Sequence, residues 1–293
     1  MRSLSPVARS ARWLPLALGV AVIAISAAAV LFRLAPHVPP LTAAGDRLLL
    51  AGLVLLPFVW RRLGTLRPGL VLGAGLAYAI HFGAWVASLH YTSIAASVTA
   101  VTTSPLLLAA LGLATGRDPP TRRLLAALAL GLAGVLVLAL ASPADVPGAD
   151  PGLGLALAVL GAGAIAAYFL LARRAAPTAD PFAFSAVATL VGGALLLGAA
   201  LVVGDPLVPA TLEDVLVVVG AAALPQLVGH TLMTWSLRHT TPTAVALATL
   251  GEPAGASLLG VVVLHEPLTL VVVLACLCTL AGVALGLTGA RRA

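Results

Sequence analysis

The sequence predicts an all-α membrane protein of ten transmembrane helices, laid out as two inverted five-helix repeats. Three observations predict it: a composition too apolar for a soluble domain, a series of apolar runs each long enough to cross a bilayer, and a self-similarity at nearly constant spacing. Hydrophobic residues fill 61% of the 293 positions and charged residues 9%. Mean hydropathy is +1.11. A soluble domain carries far more polar surface than this, so most of the chain must face lipid or other apolar helices.

The apolar runs lie at about 14–34, 41–60, 68–88, 93–115, 122–142, 152–172, 181–203, 212–236, 242–264 and 268–288. Each approaches the roughly 20 residues a spanning helix needs. Helices are the expected element because each satisfies its own backbone hydrogen bonds in lipid. Lipid-facing strands would need short segments of alternating polarity, and the long continuous runs lack it. The first run follows Arg2, Arg9 and Arg12 and ends near small residues, the outline of a signal peptide. It continues to Phe32, long enough to span, and is read as an uncleaved first helix.

All 16 basic residues are Arg, and the formal net charge is +6. They stand singly or in pairs between apolar runs, which fits membrane orientation and not a nucleic-acid partner. With the N-terminus cytoplasmic, Arg 2, 9, 12, 61, 62, 67, 117, 122, 123, 173, 174, 238, 291 and 292 all fall on the cytoplasmic side. Only Arg33 falls outside, and Arg47 lies within a helix. The asymmetry predicts a multi-pass cell-membrane protein with both termini cytoplasmic.

A shift of 148 superposes Ser88-Leu89 on Ser236-Leu237, Thr92 on Thr240, Pro105 on Pro253, Gly112 on Gly260, Asp118-Pro119 on Glu266-Pro267 and Gly134-Val135 on Gly282-Val283. Earlier, a shift of 141 superposes Arg33 on Arg174, Pro36 on Pro177, Pro40 on Pro181 and Gly52 on Gly193. The halves are read as 1–147 and 148–293. Five helices per half is an odd number, so the second half enters the membrane inverted. Inverted repeats are a common carrier plan with the site near the midplane between them.

Glu252 is the sharpest single signal. It lies about ten residues into its helix, roughly 15 Å deep at 1.5 Å per residue. A carboxylate there must pair, face a wet cavity or stay protonated, which suits binding of a proton or a cationic amine. The plainer alternative is a protonated Glu tying helices together. Antiparallel pairing about position 239 sets Gln226 level with Glu252 and His230 one turn nearer the cytoplasm. Spacing of four puts both on one face, as cavity lining, with His230 a candidate proton relay, or as interhelical hydrogen bonds. The first-half equivalents are Tyr78, Phe82 and Trp85, with His81 alongside. Ser104 corresponds to Glu252. One aromatic and one acidic wall would suit a substrate with an amino group and an apolar part, although Tyr78 and Trp85 also fit core or interfacial anchors. Arg47, beside Asp46, could hold a substrate carboxylate or pair structurally.

Asp118-Pro119 and Glu266-Pro267 read as helix N-termini, where the dipole favours an acid and Pro lacks the donor. Position 269 is Thr, so His265-Glu266 opens no zinc-binding HExxH pattern, and there is no P-loop. Cys276 and Cys278, two apart, point to different faces. No metal or cofactor is expected. Gly192-Gly193 permits close helix contact within or between chains, compatible with a homodimer.

These residues also carry a family resemblance. The chain resembles the ten-helix EamA-type branch of the drug/metabolite transporter superfamily over nearly its full length. The resemblance rests on Arg47, on YTSIAASVTAVTTSPLLLAAL followed by Asp118, and on HTTPTAVALATLGEPAGASLLGVVVLHEPLT. Pro105 and Pro253 match the family's mid-helix proline; Asp118 and Glu266 match its terminal acids. Asp118 stands where Glu is commoner, and Glu252 where the family usually has a small or apolar residue. The resemblance implies export of a small metabolite or drug-like solute by alternating access, in a bacterial-type inner membrane. With the residues above, an amino-acid-like or cationic amine substrate is favoured, and proton coupling would run through Glu252 and His230. The rival classes are an intramembrane enzyme using His81, His230 and Glu252, and a non-transporting scaffold. Against the enzyme, a depth count puts the two histidines on opposite sides of the midplane.

Overall fold

Apolar side chains and self-satisfied backbone make helices the cheapest element in lipid, and the computed structural model is built of helices throughout. It describes residues 12–92, 94–116, 119–141, 150–264 and 269–289. The helices are α1 (Leu14–Leu34), α2 (Pro40–Val59), α3 (Pro68–Ser88), α4 (Ile94–Val101), α5 (Ser104–Thr115), α6 (Arg122–Ala141) and α7 (Pro151–Ala175). They continue with α8 (Pro181–Val203), α9 (Leu212–Ala221), a π-helical segment (Ala222–His230), α10 (Thr231–Ser236), α11 (Pro242–Thr249), α12 (Gly251–Leu264) and α13 (Leu270–Gly289). Joined end to end where only a break separates them, these make ten crossings among the described residues. Eight are long and apolar enough to span, and Leu270–Gly286 is a shorter apolar helix. α6 supplies the remaining crossing with 20 residues. Asp118, His265, Glu266 and Pro267, named above as helix-end acids and their neighbours, lie outside the described residues, as does the 147/148 division.

Several helices open with proline in the first turn, where its missing N–H costs nothing. Asp150, Asp180 and Thr241 cap α7, α8 and α11 by accepting from first-turn amides. Asp180 also receives Arg62 at 2.9 Å. On the same face Arg173 donates to the Leu237 carbonyl at 2.7 Å and Arg238 to that of Ala176 at 3.3 Å. Arginines of the orientation count thus tie loops together.

The fourth and ninth crossings, read from sequence as continuous, are broken at matched places. α4 stops at Val101 and α11 at Thr249. Each is four residues before a proline, Pro105 and Pro253. A proline ring removes the amide and crowds that very carbonyl. Thr102, Thr103 and Thr249 donate their hydroxyls back into the preceding turn at 2.7–2.8 Å.

Packing respects exchange of the halves. α2 lies against α8, its counterpart, and α6 against α13, its counterpart; α3 packs on α7 as α1 packs on the eighth crossing. Both counterpart pairs run antiparallel: Gly45 faces Leu197, Gly52 faces Leu190 and Gly193 faces Leu49, while Gly131 faces Gly282 and Gly134 faces Thr279. Partner numbers sum to a constant along each seam, so the repeats are inverted. Glycine lets these backbones touch. A methyl on Gly193 would sit 2.7 Å from the Leu49 nitrogen, and one on Gly282 2.7 Å from the Gly131 Cα. Backbone atoms cannot yield as a side-chain end can. Gly193→Val and Gly282→Val should each destabilise the protein by roughly 1–3 kcal/mol or more, read as a lowered Tm in detergent. Gly198→Val, at a position with open space, should not.

Candidate functional site

The breaks set the site. Pro253 ends α11 and starts α12, placing Glu252 in the first turn of a half-helix inside the bundle, where the aligned peptide dipoles favour a negative charge. In the matched position, Ser104 opens α5 and is buried. The eighth crossing is π-helical from Ala222 to His230 around Pro225. A π-turn disrupts the ordinary ladder and is frequent at functional sites. It lies between the apolar α9 and α10 and carries Gln226 and His230.

Between the halves, among the described residues, lies a small cavity of about 30 Å³, lined by Ile25, Ala28, Arg47, His81, Phe82, Trp85, Val101, His230 and Glu252. That is space for a water or two. Six of the nine residues singled out in the sequence therefore share one cavity: Arg47, His81, Phe82, Trp85, His230 and Glu252. Gln226, Tyr78 and Ser104 do not line it.

Arg47 is 0% exposed. Its Nη2 donates to Gln226 Oε1 at 3.1 Å, and its guanidinium lies 4.3 Å from the Phe82 ring centroid and 5.9 Å from that of Phe32. Its Nε and Nη1 are buried with no hydrogen-bond acceptor among the described residues. Glu252 is only partly covered. It interacts with Arg47 electrostatically, but the two make no salt bridge within 4.0 Å. The cavity thus holds a cation and an acid that are not in contact.

His81 Nδ1 lies 2.8 Å from the Gly161 carbonyl oxygen. A carbonyl only accepts, so the proton is on Nδ1, and the neutral ring keeps Nε2 as an acceptor. The His81 and Trp85 rings are nearly parallel, with centroids 6.4 Å apart. His81 and His230 rings also stand 6.4 Å apart. The depth count located backbones only; both imidazoles reach one cavity. Among the described residues no three His, Cys, Asp or Glu side chains are placed to hold a metal.

Tyr78 sits one layer behind the cavity wall. Its ring stacks on Tyr168 at 3.8 Å between centroids and meets the His230 ring edge-on at 5.9 Å. Tyr168 hydrogen-bonds Thr234 at 2.6 Å. Tyr168, Val101, Ile25 and Ala28 were missed by sequence reasoning. The last three are ordinary apolar residues with no signal; Tyr168 is one of only three tyrosines, and that rarity in an aliphatic helix was the available clue.

A two-repeat helical bundle with broken helices meeting at a polar cavity between the halves is the architecture of a membrane transporter. The model of the EamA-like transporter family matches residues 11–140 and again 152–288. The chain belongs to that family, of the drug/metabolite transporter superfamily. A crystal structure of another protein, at 21% identity, superposes with a TM-score of 0.79 over 95% of this chain and 99% of that one, and so shares the fold. No curated protein matches.

The guanidinium–Phe82 contact generates a test. A desolvated cation–π contact is worth about 2 kcal/mol. Phe82→Leu keeps most of the volume and loses the ring face, so thermal unfolding in detergent should show a loss of about that size. The same change in an Arg47→Met background should cost much less.

Proposed function

We propose that this transporter carries a small solute bearing both a cationic and an anionic group, an amino-acid-like molecule before a simple amine. One observation supports the reading above the others: Arg47 and Glu252 line the same cavity without an ion pair, and Arg47 keeps two donors free. A carboxylate on the solute would accept from one of those donors in a charge-assisted hydrogen bond. An ammonium on the solute would face Glu252, and its apolar part would lie on Phe82 and Trp85. Burying either charge unpaired is costly, so a solute that supplies both partners is favoured over one that supplies neither.

Space for a water or two cannot hold such a solute. Loading requires the halves to part on one side and then the other, as in alternating access between inverted repeats. Export and an inner-membrane location follow from the family resemblance. The arginine distribution favours both termini on the cytoplasmic side. Glu252 is the group for proton coupling, with His230 across the same cavity as its relay.

Two measurements test this. The purified protein in proteoliposomes should move members of an amino-acid and amine panel, faster with a pH gradient than without. Glu252→Gln should lower that transport about 30-fold, the equivalent of losing a charge contact worth roughly 2 kcal/mol, and flatten its pH profile. Unchanged transport with an unchanged profile removes Glu252 from the mechanism. Separately, with Cys276 and Cys278 replaced, Val101→Cys should react with a water-soluble thiol reagent from either face of the membrane. A cysteine unreactive from both sides favours a dry scaffold.

A further inference from the structure

The most expensive group in the bundle is Arg47, a guanidinium with no exposure, and the structure shows what holds it. Gln226 is itself 1% exposed. Its Oε1 accepts from Arg47 Nη2 at 3.1 Å, and its Nε2 donates to Thr189 Oγ1 at 3.5 Å. The Thr189 hydroxyl accepts only through its oxygen, and Arg47 only donates. The amide orientation is therefore fixed, with oxygen toward the cation. Phe82 and Phe32 supply ring faces. Among the described residues, the hydrogen-bond and ring partners of the guanidinium are all neutral.

We propose that Gln226 is a positioning residue that sets the cavity's demand for an anion: it holds Arg47 in place without cancelling its charge. This rests on the reading of the cavity as a binding site and goes beyond it, by naming the group behind the wall that decides what the cavity binds. A carboxylate at 226 would have the same shape and reach, would form the missing ion pair, and would satisfy Arg47 internally. The cavity would then present only Glu252 and prefer a simple cation. Gln in place of Glu is thus a selectivity choice between solutes carrying an anionic group and solutes lacking one.

The first readout needs no substrate. In detergent, Q226E is compared with the uncharged Q226L, each with Arg47 present and in an Arg47→Met background. We expect Q226E to melt above Q226L and above the wild type when Arg47 is present, and the advantage to vanish with Met at 47. Sodium formate, small enough for the cavity, should raise the wild-type midpoint more than sodium gluconate, an anion too large to enter. The second readout is selectivity in proteoliposomes between an amino acid and its decarboxylated amine. Q226E should shift that ratio toward the amine by about tenfold or more, the equivalent of one charge contact. Q226E melting no higher than Q226L, or failing to fold where Q226L folds, overturns the proposal, as does an equal gain in the Met background. Equal effects of the two salts also overturn it. Wild-type vesicles that move no member of the panel would refute the carrier reading alone, since the melting comparison decides the role of Gln226 by itself.

Discussion

A buried cation without a contacting counter-charge is the constraint around which this bundle is organised. Placing a guanidinium in a low-dielectric interior costs several kcal/mol even after relaxation. One amide oxygen at 3.1 Å and one ring face at 4.3 Å offset only part of it. Gln226 needs a turn that aims it at α2, and the π-helical segment supplies one. Phe82 needs α3 to pass beside Arg47, and the α3–α7 packing holds it there. The acid that could have neutralised Arg47 sits across the cavity at the start of a half-helix, where Pro253 has interrupted the chain.

The halves share a backbone plan and differ in chemistry. Ser104 answers to Glu252 and Tyr78 to Gln226. Behind the cavity, on the arginine-rich face, hydroxyls bridge the crossings: Tyr168 to Thr234 at 2.6 Å and Ser185 to Thr231 at 3.1 Å. The first-half counterparts by the repeat spacing are Ala27, Val86, Ala44 and Gly83, which can form no such bridges. Duplication supplied the symmetry, and substitution has left these two hydroxyl bridges without counterparts in the first half.

Much of the fold was legible because lipid leaves few options. The apolar run lengths gave the crossings, and the matched Pro, Gly and Thr positions gave the repeat. The helix breaks were less legible, since a proline inside an apolar run can kink a helix or end it; the matched pair at 105 and 253 ends it twice. Within the site, rarity was the useful signal. Arg47, His81, His230 and Glu252 stand out in an aliphatic background, and they converge. Layering was hidden. Gln226 and Glu252 sit level by residue count, but that count carries no information on which side of a helix faces the cavity, so Gln226 reads as lining when it lies behind. The meeting of the two histidine rings was hidden for a related reason, because axial position says nothing about side-chain reach.

The glycine seams carry a consequence of their own. Where α2 meets α8 and α6 meets α13, an element meets its own duplicate in reverse, which makes each seam self-complementary in the manner of a two-fold dimer contact. A patch of that kind is completed by any second copy lying upside down beside the first. The geometry that now joins two parts of one polypeptide is therefore the geometry by which two separate half-length chains, inserted in opposite senses, could assemble without any linker.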